Sequence, residues 1–183
     1  MLLGSLAIDP RYVQPVNKKT RHSQMFWGAI RYGMKSDLIL CHGDEESKRG
    51  GVTARVYRDI LEETLPTIMD SDTIFMQDNA PIHTSRLLRE WLAEMRFEVL
   101  DWPPYSPDLN PIENLWSMLK ERIIKQYPDL SHMAKNEQLL KMLCEAAVVV
   151  WHDFEQELVD RLTDSVPRRI AAVRAAKGWY TKY

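Results

Sequence analysis

The segment Ile74-Phe75-Met76-Gln77-Asp78-Asn79 is a short apolar run that stops abruptly at polar side chains. A continuous apolar run of this kind is typical of a strand that is buried on both faces, as in the parallel sheets of α/β proteins. In an open α/β sheet, ligands bind in the crevice outside the carboxyl ends of the strands. The sequence therefore predicts that Asp78 lies at the mouth of a buried strand, where it is rigidly placed and reachable from solvent.

Patterns on both sides of this strand predict an alternation of strands and helices. Upstream, Met25–Ile30 and Leu38–Cys41 have the composition of two hairpin strands. Thr53 begins a predicted helix that Pro66 kinks or ends. Downstream we expect a helix at 87–95, a strand at 97–100, a helix that begins at Asn110 and Pro111, and helices around 139–151, 154–162 and 167–178. This order predicts an α/β fold with a partly parallel sheet and a helical C-terminal layer.

Length and composition exclude several classes of protein. The chain has 183 residues, of which 45% are hydrophobic and 27% are charged, and a formal net charge of −2. These values are those of a globular domain with its own core, and they neither require nor exclude a nucleic-acid partner. No apolar run approaches the roughly 18 residues of a membrane span, and no secretory signal is expected. Cys41 and Cys144 form no CxxC pair and no disulfide framework, which favours a reducing compartment.

Two carboxylates are candidates for a shared site in the predicted crevice. Glu113 lies in the first turn of the helix that follows the next strand, so the fold can bring it close to Asp78. Converging carboxylates bind hard cations such as Mg²⁺. A pair of such ions, about 3.5–4 Å apart, activates a water or hydroxyl and stabilises the leaving oxygen in phosphodiester chemistry.

The residues alone leave structural explanations open. Asp78 and Asn79 also suit a simple turn, and Glu113 stands three residues after Asn110, which is a capping-box position. His83 suits a loop or the start of a helix. The acidic run 44–46 suits a solvated loop, and the segment 102–105 suits either a packed rigid loop or a base-stacking platform.

Two longer motifs resemble the catalytic blocks of a known family. The segment Gln77–Ser85 (QDNAPIHTS) resembles the second catalytic block of the Tc/mariner superfamily of DDE transposases, and Tyr105–Trp116 (YSPDLNPIENLW) resembles the third. The 34 residues between Asp78 and Glu113 resemble the family's Asp-to-Glu interval. Two further segments, Met25–Ile30 and Ser165–Tyr183, are similar to the family's second strand and to the end of such transposases. The resemblance covers most of the chain from about residue 9 onward.

The resemblance implies an RNase H-like fold, in which a mixed sheet is flanked by helices and followed by a helical C-terminal extension. It implies a single DDE-transposase catalytic domain over residues 1–183, with a core at about 9–127 and C-terminal helices at about 130–178. Family members hold two Mg²⁺ or Mn²⁺ ions with three carboxylates. Asp78 matches the second acidic residue and Glu113 the third, so both are expected to be catalytic and to bind metal.

The family's chemistry implies the partners and the location of the chain. It consists of hydrolysis of DNA at transposon ends and attack of a 3′-hydroxyl on target DNA, without a covalent enzyme intermediate. We therefore expect DNA as the partner, together with a second copy of the chain in a homodimer, and neither a membrane nor a small-molecule substrate. The DNA substrate implies the nucleus, with the cytoplasm as the alternative because no clear basic import cluster is present.

The chain departs from the family pattern before Met25. The family's first acidic residue ends a strand well upstream of the Trp-Gly strand, and little room is left for that strand here. Asp9 is the one candidate, although it resembles a residue of the insert that follows the strand. We therefore expect the first catalytic strand and the N-terminal helix-turn-helix domains to be missing. Either Leu2–Ile8 then takes the place of that strand, or backbone groups of the sheet stay unpaired.

Three functional hypotheses follow. The first is a DDE endonuclease and strand transferase, which needs a third carboxylate. The second is a catalytically inactive transposase remnant that acts at most as a DNA-binding or protein-interaction module. The third is a pseudogene product without a selected role. The second is motivated by basic residues near the C-terminus that suit either phosphate contact or a solvated helix face: Arg168, Arg169, Arg174, Lys177 and Lys182.

Overall fold

The computed structural model describes residues 2–7, 24–48, 50–103, 106–134, 136–177 and 181. Asp9, the one candidate for the first acidic residue, lies outside the described residues, and its role stays a hypothesis. Tyr105, Gly178 and Lys182 also lie outside them. The domain boundaries expected from the sequence likewise stay predictions.

Four described strands form one antiparallel sheet around a central member. They are β1 (Leu2–Ala7), β2 (Met25–Arg31), β3 (Met34–Lys35) and β4 (Ile39–Cys41). β1 pairs with one edge of β2, and β3 and β4 pair with the other. The predicted hairpin is confirmed, and Gly33 turns it with a φ of +76°. Of the two outcomes expected for the start of the chain, pairing with β2 is the one observed.

The predicted strands at 74–76 and 97–100 are shorter than expected. Phe75 and Val99 form an isolated parallel bridge, in which the Phe75 N–H donates to the Glu98 carbonyl over 2.7 Å. Phe75 is fully buried, whereas Ile74 is 40% exposed. A turn at 70–73 precedes the apolar run and polar residues follow it, so too few residues remain for a longer ladder. Among the described residues, the predicted parallel component of the fold is therefore this single bridge.

Six α-helices account for most of the remaining described chain. They are α1 (Ala54–Ile68), α2 (Arg86–Glu94), α3 (Ile112–Gln126), α4 (Glu137–His152), α5 (Gln156–Thr163) and α6 (Val166–Ala175). Two 3₁₀ turns, Pro107–Leu109 and Pro128–His132, flank α3. Among the described helices, none combines the length and the apolar character that crossing a membrane requires.

The ends of the helices follow the sequence signals with small shifts. The Thr53 hydroxyl caps α1 as predicted, and Pro66 lies inside this helix, which continues for two residues beyond it. α3 begins at Ile112 rather than at Pro111, and the Asn110 Oδ1 accepts a hydrogen bond from the Ile112 N–H over 3.3 Å. The Ser165 hydroxyl makes no capping hydrogen bond at α6.

Asp44 departs from the solvated loop that the sequence predicts for the run 44–46, whereas Glu45 and Glu46 are exposed as predicted. Asp44 is buried, and its carboxylate accepts hydrogen bonds from the Thr53 hydroxyl over 2.6 Å and from Arg55 over 2.5 Å. Glu46 also pairs with Arg55. Because these partners lie in the first turn of α1 and at its cap, Asp44 fastens the loop to the start of that helix.

The two faces of β2 pack into two separate cores. Phe26 and Ile30 belong to a cluster with the buried residues of α3, α4 and α5. Trp27 and Ala29 belong to a second cluster, with the buried residues of α1 and α2 and with Phe75. Side chains alternate between the faces of a strand, so β2 separates two helical layers. The predicted α/β architecture is confirmed.

At Gly28 the indole rings of Trp116 on α3 and Trp151 on α4 lie directly against β2. A Cβ atom at this position would lie 2.9 Å from Trp151 Cζ2 and 3.1 Å from Trp116 Cη2. The two indole rings stack with centroids 4.9 Å apart. Trp116 lies on α3 three residues after Glu113. The missing side chain at Gly28 therefore sets the position of the helix that carries Glu113.

We expect Gly28→Ala to lower the free energy of unfolding by about 1–3 kcal/mol, because the added methyl overpacks two buried rings. Gly28→Val should cost more. Urea denaturation followed by circular dichroism measures both. Gly33→Asn is the matched control, since a Cβ there meets nothing within 4 Å and Asn tolerates a positive φ. A cost for Gly28→Ala no larger than that of the control would contradict this account of the packing.

Candidate metal centre

Asp78 lies just after the buried pair Phe75 and Met76, in a turn that fixes its carboxylate. Its Oδ1 accepts a hydrogen bond from the Ala80 N–H over 3.0 Å and lies 2.5 Å from Nδ1 of His83. The hydrogen bond from His83 is the main cause that lowers the pKa of Asp78. Because an ionised carboxylate only accepts, Nδ1 must carry the proton. The predicted turn is therefore present, and it orients the acidic side chain.

A buried polar layer lies behind this carboxylate. His83 is 3% exposed, and its ring lies against the ring of Tyr57 with centroids 4.4 Å apart. The Tyr57 hydroxyl donates to the Gln77 Oε1 over 3.1 Å. Burial raises the pKa of Tyr57, which keeps this hydroxyl a donor at neutral pH. The layer covers only one face of Asp78. The side chain is 55% exposed, so its other face is open to solvent.

The sequence interpretation of His83 missed its contact with Asp78. His83 does lie in a turn before α2, as a loop residue would, and it also binds the acidic side chain five residues upstream. The signal that could have revealed this is the turn-forming segment Asn79-Ala80-Pro81 between them, which folds the chain back on itself.

The structure brings Glu113 and Asp78 to one pocket of about 360 Å³. Glu113 enters it from the first turn of α3, and Asp78 enters from the turn after the buried bridge. Across the pocket, the Asn79 Nδ2 donates to the Trp102 carbonyl over 2.7 Å, which ties the two sides together. The described residues that line it are Asp78, Asn79, Ala80, Trp102, Pro103, Ser106, Pro107, Asn110 and Glu113.

Trp102, the described aromatic residue beside the pocket, is packed against the core. Trp102 is half-buried against the core cluster of α3 and α4. Its carbonyl accepts the hydrogen bond from Asn79. Of the two interpretations that the sequence left open, the contacts of Trp102 favour the rigid packed loop.

Glu113 does not act as a capping-box residue. A capping box needs its carboxylate to accept from the Asn110 N–H. That N–H instead donates to the Pro107 carbonyl over 2.9 Å. The Glu113 carboxylate accepts no hydrogen bond from any residue that the structure describes. It therefore remains available to the pocket.

The charges in the pocket are unbalanced. Partial withdrawal from water raises the pKa of Glu113, and the negative charge of Asp78 raises it further, while Lys120 opposes both effects. Within the described chain, neither the Glu113 carboxylate nor the Asp78 Oδ2 accepts a hydrogen bond. Two carboxylates that line one pocket supply the oxygen ligands that Mg²⁺ and Mn²⁺ prefer. The residues present therefore fit a divalent cation.

The two carboxylates do not form a complete ligand cage by themselves. Within the ranges described above, no group of three or more His, Cys, Asp or Glu side chains converges as a metal site. Asp78 and Glu113 supply two of the three carboxylates that the resemblance implies.

Comparison with known proteins shows the class to which this α/β domain, with two acidic residues at one pocket, belongs. Residues 11–134 match the model of the family described as DDE superfamily endonuclease. The chain belongs to this family.

The relatives refine this assignment. The chain is 39% identical over 180 residues to the Tcb2 transposase of Caenorhabditis briggsae and 33% identical over 179 residues to the Tc1 transposase of Caenorhabditis elegans. Each match covers 96% of this chain and 60% of the relative, so the chain spans about three fifths of their length. The resemblance to Tc/mariner transposases is thereby confirmed, and the chain is homologous to a transposase DDE endonuclease domain.

A solved structure shows the fold. The catalytic domain of Mos1 mariner transposase superposes with a TM-score of 0.67 at 22% identity, and the match covers 98% of this chain and 82% of that domain. The predicted RNase H-like fold is confirmed by this likeness.

We expect Glu113→Gln to stabilise the metal-free protein slightly at pH 7, by no more than about 0.5 kcal/mol, because Glu113 is exposed and solvent screens its repulsion from Asp78. The raised native pKa of Glu113 means that its ionisation opposes folding above the pKa of the unfolded chain. The gain should vanish near pH 3, where Glu113 is protonated in both states. Urea denaturation in EDTA at the two pH values measures it.

Glu121→Gln is the control for this measurement, because Glu121 is likewise exposed on α3 but does not line the pocket. It should give no gain at either pH. A loss of stability at pH 7 on Glu113→Gln would show that the carboxylate makes a favourable contact that this account lacks.

Proposed function

We propose that this chain is the catalytic part of a Tc1/mariner-type transposase, which cleaves and joins DNA with the help of divalent cations. The observation that carries the proposal is the meeting of Asp78 and Glu113 at one pocket, where their charges repel each other. Membership of the DDE superfamily endonuclease family supports the same chemistry.

Asp78 and Glu113 would hold two Mg²⁺ or Mn²⁺ ions together with a third carboxylate. The catalytic domain of Mos1 has been solved with Mg and with Mn, which supports this choice of metals. Bound ions of this kind polarise phosphoryl oxygens and lower the pKa of coordinated water. The chain contributes orientation, because His83 and the Ala80 N–H hold one oxygen of Asp78 and leave the other for a ligand.

DNA would be the partner, in the form of transposon ends and target sites, and a homodimer would bring two such sites together. Mos1 has been solved as a paired-end complex and as a strand transfer complex. In the C-terminal basic group, Arg168, Arg174 and Lys177 are exposed and suit phosphate contact. Arg169 is buried and hydrogen-bonded, so the hypothesis of a phosphate contact is wrong for this residue. A DNA substrate also implies a nuclear location.

Titration calorimetry with Mn²⁺ tests the metal site. We expect Asp78→Asn and Glu113→Gln each to lower the affinity at least tenfold, because each removes a direct oxygen ligand. Asp72→Asn is the control, since Asp72 is exposed in the turn before the buried bridge and should leave the affinity unchanged. Equal affinity in all four proteins would rule out a site at the pocket.

DNA binding as a function of salt, with a parallel plasmid-nicking assay in Mn²⁺, tests the partner. It also separates the first two functional hypotheses, the active endonuclease and the inactive DNA-binding module. We expect binding at low salt, and a log–log salt slope that falls by about 1 for each phosphate contact removed in Arg168→Gln and Arg174→Gln. Nicking that Asp78→Asn abolishes would support the endonuclease. Salt-dependent binding without nicking in Mg²⁺ or Mn²⁺ would favour the inactive DNA-binding module, and no binding at low salt would dismiss both.

A further inference from the structure

Arg169 is a buried cation close to the candidate metal centre. It lies on α6 and is 2% exposed. Arginine is almost never buried to this degree unless its donors are satisfied, because removing the charge from water is costly. We therefore expect the N–H groups of Arg169 to make hydrogen bonds that an apolar side chain at this position could not make.

The guanidinium connects three separate segments. Its Nε donates to the Ser165 hydroxyl over 2.7 Å, which anchors the side chain to its own helix. Its Nη1 donates to the Asp108 carbonyl over 2.9 Å, and its Nη2 donates to the Asn114 Oδ1 over 2.6 Å. The planar fork of arginine holds two acceptors in a fixed relative orientation, which a lysine ammonium cannot do.

Both outer partners of Arg169 adjoin the pocket. Asp108 lies in the 3₁₀ turn whose first residue, Pro107, lines the pocket. Asn114 directly follows Glu113 in the first turn of α3. The guanidinium therefore fixes the turn that forms one wall of the pocket against the helical turn that presents Glu113.

Thr181, which follows α6, also binds the 3₁₀ turn Pro107–Leu109. The Asp108 Oδ2 accepts hydrogen bonds from the Thr181 N–H over 3.0 Å and from the Thr181 hydroxyl over 3.1 Å. The carbonyl of Asp108 is thus bound by α6, and its carboxylate by the residue six positions after the end of α6. Asp108 is thus held by two independent sets of hydrogen bonds, which fix the position of the 3₁₀ turn.

We propose that Arg169 is a positioning residue for Glu113, which it holds at the metal pocket through Asn114 and the 3₁₀ turn. This inference rests on the proposed function, because it assigns Arg169 a role in metal binding rather than in contact with DNA. It also explains why an arginine in a basic segment is directed into the protein.

Hydrogen exchange and Mn²⁺ calorimetry on the same variants test the proposal. The variants are Arg169→Met, Arg169→Lys, which keeps the charge without the fork, and Arg168→Met, the control with the same loss of charge at an exposed neighbour. The reporting amides donate within the two turns, namely those of Leu109, Asn110, Glu113 and Asn114. The reference amides are those of α1.

Both Arg169 variants should exchange at least tenfold faster at the reporting amides and no faster in α1. Their Mn²⁺ affinity should fall by about 10- to 100-fold, the usual effect of losing a group that orients a metal ligand. Arg168→Met should stay within about twofold of the unchanged chain in both measurements. A purely structural role would instead speed exchange throughout the chain. Should Arg169→Met fail to fold, Arg169→Lys decides between the two roles.

Unchanged exchange at the reporting amides would overturn the proposal, as would faster local exchange with unchanged Mn²⁺ affinity. Failure of the unchanged chain to bind Mn²⁺ would instead refute the proposed function. In that case the exchange data alone decide whether Arg169 holds the two turns, with faster local exchange in its support and unchanged exchange against it.

Discussion

Mutual repulsion between two carboxylates is the constraint on which the rest of this structure depends. Asp78 and Glu113 line the same pocket, where partial burial raises the pKa of Glu113 and the negative charge of Asp78 raises it further. A fold tolerates such an arrangement only when rigid surroundings hold both groups in place, and a cation converts the repulsion into attraction. The described elements around the pocket supply this rigidity from two directions.

Asp78 is held from one core and Glu113 from the other. His83 and Tyr57 support Asp78 from the layer formed with α1 and α2. The helix of Glu113 is fixed against β2 where Gly28 admits two stacked indole rings. Because β2 contributes to both cores, the distance between the two acidic groups is set by the packing on the two faces of one strand. Small changes in the packing of either core are therefore expected to change the distance between the two carboxylates at the pocket.

The sequence could predict the elements and the two acidic residues, because periodicity, turn residues and long motifs are local signals. It could not predict the contacts that orient them. The hydrogen bond of His83 to Asp78 depends on how one turn folds, and the burial of Arg169 depends on partners 55 and 61 residues away. Arg169 looked like its exposed neighbour Arg168 because both are basic residues of one segment. The strands at 74–76 and 97–100 are shorter than the sequence predicts, because an apolar run does not reveal how many of its residues pair with a neighbouring strand.

The most direct test of a shared metal site is a crystal structure of the chain grown or soaked with Mn²⁺, with an anomalous difference map at the manganese edge. We predict anomalous density within coordinating distance of the carboxylates of both Asp78 and Glu113. Carboxylates that point to opposite sides of the molecule, or manganese bound only elsewhere, would contradict a shared site.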